Sequence, residues 1–237
     1  MTEGTIGGRV VRVTGEVSSC GWLLLEPMDA DDRGMEEQET ELLRRLCPGR
    51  AFALAGFTVD WQEDLTPWPG KAVFKGQPDF GNGAARTLGY VTDTLLPALT
   101  AQRTNVPRVI LGGYSLAGLF ALWAGYQTDR FDGIAAASPS VWYPGWTDYA
   151  AGHPFRARAA YLSLGDREAK TRNALMSTVD GAIRAQHAAL AAQAIPAVLE
   201  WNAGNHFMDA ALRTAKGFAW CMERNAALTE GGSFDAE

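Results

Sequence analysis

The sequence predicts a three-layer α/β/α sandwich with a mostly parallel sheet, and three observations carry that expectation. Short apolar runs alternate with helical patterns along most of the chain, the arrangement that buries a parallel sheet between two helical layers. With 237 residues, 47% hydrophobic and 20% charged, the chain has the side-chain volume for one large core, since a chain this long buries roughly 70–75% of its unfolded surface. No repeat, low-complexity linker or block of like charge marks a place to divide it, so residues 1–237 read as a single domain.

The elements follow in order. Gly8–Val13 and Trp22–Glu26 are β-rich runs separated by Thr14-Gly15 and Ser18-Ser19, which predicts strand, turn and strand. Met35–Cys47 places Met35, Leu42, Leu43 and Leu46 near helical spacing, with Glu36 and Glu37 early and Arg44 and Arg45 late. That charge order suits the helix dipole and predicts a surface helix. Ala51–Val59 predicts a buried strand, and Ala84–Leu99 carries Leu88, Val91, Leu95 and Leu99 on one helical face. Val109–Leu111, Phe131–Ala137, Ala159–Leu164 and Ala197–Trp201 are further short apolar runs, each followed by loop residues and a helical pattern. Between them, Asp60–Asn82 is a long loop dense in Pro, Gly and aromatics. It either packs Trp61 and Trp68 over the core or contributes Trp68 to substrate binding.

Composition excludes several functions. A formal charge of -6 is the wrong sign for phosphate-backbone binding, so no nucleic-acid partner is expected. Cys20, Cys47 and Cys221 are far apart with no CxxC pair, which fits a reducing compartment. The N-terminus lacks a basic start with an apolar run, and no stretch reaches the roughly 20 apolar residues of a spanning helix. A soluble cytoplasmic protein without a membrane partner is expected. Neither a cofactor nor a metal is expected, because the Asp29–Asp32 stretch has consecutive acids without the glycine-turn framework of a calcium loop.

In parallel α/β sheets ligand sites lie where strands end, and the strongest chemical signal is at such an end. In VILGGYSLAGLFALW an apolar run stops at Gly112-Gly113, Ser115 follows, and Leu116, Leu119, Phe120 and Trp123 recur at helical spacing. A nucleophile on a sharp strand-to-helix turn needs small residues two before and two after it, because the strained backbone brings them together. Here those residues are Gly113 and Ala117, and only the alanine departs from the usual glycine. Serine also needs a base, and the base a carboxylate. In the order serine, acid, histidine, His206 in WNAGNHFMD fits. His187 lies inside a helix and His153 precedes the acid strand. The acid follows Ala159–Leu164, where Asp166 and Glu168 both qualify. Glu168 is favoured, because three residues beyond Gly165 it can swing back over the strand end. Oxyanion donors are expected from the N–H of Leu116 and, past Pro27 with no N–H of its own, from Met28.

The segments GGYSLAGLFALW, AAASPSVWY, YLSLGDRE and GNHF together resemble the esterase group of the α/β-hydrolases that includes esterase D and the ferric enterobactin esterases, from about Val109 onward. The resemblance implies an α/β-hydrolase fold with Ser115 as nucleophile, His206 as base and Glu168 as acid. It also implies that Ser138 and Trp142, in the segment Ser138-Pro139-Ser140-Val141-Trp142, line the substrate site. About twenty residues separate this strand from the next, which leaves no room for a cap domain. The expected function is cleavage of a small-molecule carboxylic ester through an acyl-enzyme. Acyl transfer on the same fold, or a weakly catalytic binding or regulatory module, are the rivals. Acyl and alcohol specificity and oligomeric state are not readable from the sequence.

Overall fold

The computed structural model describes residues 1–29 and 34–230. Asp31 and Asp32 of the acidic stretch, and the last seven positions of the expected domain, lie outside the described residues. Strands β1 (Thr2–Ile6), β2 (Arg9–Thr14), β3 (Trp22–Met28), β4 (Phe52–Thr58), β5 (Arg108–Tyr114), β6 (Gly133–Ala137), β7 (Ala160–Gly165) and β8 (Ala197–Asn202) form one sheet. Its order is β1-β2-β4-β3-β5-β6-β7-β8. The β1–β2 and β2–β4 pairings are antiparallel and all others parallel. The antiparallel edge begins with a hairpin the apolar pattern does not reveal, because TEGTI is polar and almost wholly exposed. Gly7 and Gly8, at φ 55° and 82°, supply the two left-handed residues that a tight hairpin needs.

Helices α1 (Met35–Leu46), α2 (Ala84–Tyr90), α3 (Leu96–Thr100), α4 (Leu116–Gln127), α5 (Trp146–Gly152), α6 (Val179–Ala192) and α7 (Ala210–Glu230) cover both faces. The period-two alternation of strand side chains divides the core accordingly. Leu23, Leu25, Val109, Leu111, Leu162 and Leu164 pack on the side of α4 and α6. Trp22, Leu24, Ile110 and Tyr161 face Leu43 of α1 and Phe218 and Met222 of α7. The three layers and mostly parallel sheet are those the alternation predicts. The chain between β6 and β7 holds only the short α5.

Two helices differ from expectation. Ala84–Leu99 is interrupted by a π-helical turn at Val91–Leu95, directly before Pro97, whose missing N–H deprives the Asp93 carbonyl of its ordinary partner. On α1 the buried face is Glu36, Glu39, Thr40 and Leu43 rather than the apolar set, and Leu46 is exposed. The polar face turns inward because β2 meets it with polar groups. Arg12 Nη1 lies 3.4 Å from Glu36 Oε1, and Thr14 Oγ1 is 2.5 Å from Thr40 Oγ1.

The long loop after β4 packs closely on the rest of the protein. Leu65, Thr66 and Phe80 are buried, Asp64 meets Arg9 and Arg86 at 3.1 and 2.9 Å, and Gly70 bridges to Phe80. α4 is buried at every position except Gln127, as befits a helix enclosed on all sides.

Candidate active site

At the end of β5 the backbone turns sharply. Ser115 has φ 57° and ψ -118°, a conformation that costs an L-residue about 1–3 kcal/mol and persists only where surroundings enforce it. Gly113, at φ 153°, has no room for a side chain, since a Cβ there would lie 2.5 Å from the Cβ of Ala117. The two positions flanking the serine therefore share space for a single methyl, and Ala117 holds it. Leu116 opens α4, so its N–H is among those a helix leaves without an intrahelical acceptor.

His206 lies in the loop between β8 and α7. The loop is anchored by Tyr114 Oη donating to the His206 carbonyl at 2.8 Å. Gly204, at φ 101°, allows the bend, and its N–H donates to Asp166 Oδ1 at 2.7 Å. His206 Nε2 stands 3.1 Å from Ser115 Oγ, and Nδ1 stands 2.7 Å from Glu168 Oε2. The Nδ1–H tautomer donates to Glu168 and leaves Nε2 to accept the serine proton. Ser115, His206 and Glu168 are thus brought into one hydrogen-bonded line. Of the two acids, Glu168 reaches the imidazole, while Asp166 holds the histidine loop by its backbone.

Glu168 is nearly enclosed, with side-chain exposure of 4%. Its Oε1 accepts from the Gly165 N–H at 2.7 Å, from Ser138 Oγ at 2.7 Å and from Arg213 Nη1 at 2.8 Å. Burial pushes its carboxyl up, but hydrogen bonding and charge from His206, with Ser138 and the Gly165 amide, outweigh burial and leave it below its ordinary value. Arg213, on α7, is itself buried at 1% exposure. It donates to Tyr114 Oη, to Ser138 Oγ and to the carbonyls of Ala203 and Asn205. It links the acid, the residue before the serine and the histidine loop. Sequence reasoning missed Arg213, whose one local signal is its position in the first turn of the helix after His206.

The residues expected to bind substrate are distributed differently. Ser138 is buried behind the acid, with its hydroxyl engaged by Glu168 and Arg213. It sits at φ 43°, and its contacts fit it to position the acid rather than to meet a ligand. Trp142 is buried, its ring 6.4 Å from Phe80 and 6.2 Å from Tyr143. Trp68 is half-buried and donates from Nε1 to the Pro144 carbonyl at 2.8 Å. Both indoles belong to an aromatic wall with Tyr143 and Tyr149. Ser140, from the same segment as Trp142, comes closer to the centre, with Oγ 3.3 Å from Ser115 Oγ and its N–H donating to the Ser115 carbonyl. Met28 is the last residue of β3 and is buried, its sulfur 3.7 Å from Arg12 Nη1. Met28 does not offer its N–H to the serine as expected: it pairs with Thr58 in the parallel ladder and its carbonyl accepts from the Val59 N–H at 3.1 Å, so its own N–H is turned to β4, and a second oxyanion donor falls to the connection that follows it.

Comparison with known proteins bears on the fold and the family. The chain is similar in fold to an IroE-like serine hydrolase from Shewanella oneidensis, at TM-score 0.73 and 17% identity over 90% of this chain and 74% of that one. It is similar to the siderophore hydrolase EstA from Aspergillus nidulans, at TM-score 0.71 and 19% identity over 92% and 90%. It is also similar to the enterobactin esterase FES from Shigella flexneri, at TM-score 0.55 and 16% identity over 91% and 56%. No curated protein matches the sequence. The sequence model of the family described as "Putative esterase" matches residues 58–203, which include the serine turn and Glu168 and stop short of His206. The chain belongs to this esterase family and is a carboxylic ester hydrolase on the α/β-hydrolase fold.

Proposed function

We propose that the protein hydrolyses a small-molecule carboxylic ester through an acyl-enzyme formed on Ser115. The observation that carries this reading is the line of three side chains, with Nε2 of His206 3.1 Å from Ser115 Oγ and Nδ1 2.7 Å from Glu168. Ser115 Oγ attacks the ester carbonyl carbon while its proton passes to His206 Nε2. The oxyanion so formed is held by the N–H of Leu116, with a second donor from the connection that follows Met28. As the intermediate collapses, His206 returns the proton to the departing alkoxide, and the alcohol leaves an acyl group on Ser115. Water then attacks the acyl carbon, gives its proton to His206, and releases the acid with Ser115 restored.

Glu168 holds the tautomer and balances the imidazolium, while Ser138 and Arg213 position Glu168. The names of the neighbours, two of them siderophore or enterobactin hydrolases, support ester cleavage of this kind. Trp68 and Trp142 contribute through the aromatic wall rather than as isolated contacts.

The test is fluorophosphonate labelling with peptide mapping, alongside p-nitrophenyl ester turnover by wild type and Ser115→Ala. Label on Ser115 is expected, with turnover falling by roughly 10³-fold or more in a folded variant. Unchanged turnover by Ser115→Ala overturns the assignment.

A further inference from the structure

Among the described residues two large apolar side chains stand almost wholly in solvent, Val106 at 88% and Phe207 at 86% exposure. Val106 precedes β5, at the opposite end of that strand from Ser115. Phe207 directly follows His206, and its ring centroid lies 5.6 Å from that of the imidazole, with the two planes at 86°. Tyr114 lies against the same imidazole at 5.1 Å but is held inward, its hydroxyl bonded to the His206 carbonyl and to Arg213. The imidazole thus has one aromatic neighbour bound into the protein and one whose ring is uncovered.

The backbone beneath that ring is pinned. The Phe207 N–H donates to Asn205 Oδ1 at 3.0 Å and the Met208 N–H to the Asn205 carbonyl at 3.3 Å, and that carbonyl also accepts from Arg213. Met208 folds back over Gly204, where any Cβ would meet its sulfur, and Asp209, at φ 55°, turns the chain into α7. A phenyl ring presented to water on a fixed backbone forgoes the burial that stabilises most such rings. Its place beside the base says what could cover it. His206 Nε2, 3.1 Å from Ser115 Oγ, is the atom that hands its proton to the departing alkoxide. That transfer needs the leaving oxygen within hydrogen-bond reach of Nε2, so the substituent on that oxygen lies beside the imidazole and within reach of its neighbour. The acyl group, by contrast, stays on Ser115. Once the alcohol has gone, water takes the place by Nε2, and Phe207 has no organic group to meet.

We propose that Phe207 is a specificity-determining residue for the alcohol half of the ester: its ring packs against the substituent of the leaving oxygen, so that the enzyme prefers esters of aromatic alcohols to those of small ones. The proposal rests on the esterase reading of Ser115 and His206. An aromatic alcohol offers the ring both apolar area and a stacked or edge-to-face partner. The contact is made before the acyl-enzyme forms, so it acts on acylation and not on deacylation.

Phenylethyl butyrate and ethyl butyrate share the acyl group and differ only in the alcohol, and their kcat/KM values test the proposal. Wild type should favour the phenylethyl ester by about tenfold or more. Phe207→Ala should cut that ratio by about fivefold or more, whereas Phe207→Tyr, which keeps the ring, should hold it within about twofold. Both substitutions fall at an exposed position, so the fold should be retained. A role confined to holding His206 would lower both esters alike and leave the ratio where it was. The acyl side supplies the control, because the ratio of ethyl hexanoate to ethyl butyrate should be the same in wild type and in Phe207→Ala. Equal kcat/KM for the two butyrates in wild type, or an unchanged ratio in Phe207→Ala, overturns the assignment and leaves the Ser115 chemistry standing. A change confined to the hexanoate ratio overturns it too, by placing the ring on the acyl side. If wild type turns over no ester and Ser115 takes no fluorophosphonate, the esterase reading fails and the proposal falls with it.

Discussion

Glu168 and Glu39 are both buried carboxyls at the carboxyl edge of the sheet, and they are treated in opposite ways. Glu168 is surrounded by donors, with the Gly165 amide, Ser138 and Arg213 on Oε1 and His206 on Oε2. Glu39 has two other acids beside it, Glu26 and Glu36, with Thr214 hydrogen-bonded to it, and one of its oxygens has no hydrogen-bond partner. Burial acts on both in the same direction, yet the first carboxyl ends below its ordinary value and the second well above it. Partners rather than depth decide the charge. The first carboxyl is held charged by its partners, whereas the second is held neutral by its neighbours.

The largest expected consequence of that contrast lies in catalysis. Glu168→Gln keeps the shape of the acid and removes its charge, so turnover of a neutral ester at neutral pH should fall by roughly 10²–10⁴-fold. A fall of less than tenfold, measured as kcat on purified protein, would mean that a Ser115–His206 pair suffices.

Next in size is the cost of taking away the partner. Arg213→Met leaves a buried carboxylate short of its strongest donor, and unfolding in urea should show a loss of about 3–5 kcal/mol. A loss below 1 kcal/mol would show that the three neutral donors hold Glu168 without the guanidinium.

The smallest effect separates the two acids by pH. Glu168, lowered from 4.5, contributes stability that is present above that value and lost as pH falls through its folded value. Glu39, raised from 4.5, does the reverse, and stability is lost as pH rises from that value through its folded one. Glu39→Gln should therefore gain about 1–2 kcal/mol over wild type at pH 8 and nothing at pH 4. Equal urea midpoints at both pH values would mean that Glu39 ionises as easily folded as unfolded.

The serine turn and the alternation of strand and helix were legible in the sequence because both obey local rules. Two small residues must flank a strained serine, and side chains must repeat at the period of their element. Glu168 could be narrowed to one of two acids by its reach from Gly165. Arg213 was hidden because its partners Tyr114, Ser138 and Glu168 are distant in the chain and meet only across the packed layers. The inward face of α1 was hidden for a different reason. Apolar periodicity points Leu42 and Leu46 inward, and nothing local to the helix reveals that β2 offers Arg12 and Thr14 to it instead. The substrate roles read for Ser138 and Trp142 rest on likeness of segments, whereas the contacts these side chains make, Ser138 with Glu168 and Arg213 and Trp142 with Phe80 and Tyr143, join distant parts of the chain and show in no single segment.

The single methyl shared by positions 113 and 117 bears on how such turns are found in other sequences. Its allocation cannot be reversed. Position 113 is closed to any side chain by its backbone angle as well as by space, while position 117 is helical and accepts Cβ freely. A search demanding glycine on both sides of the serine asks for more than the geometry does and passes over chains like this one. The stricter requirement falls on the preceding glycine alone.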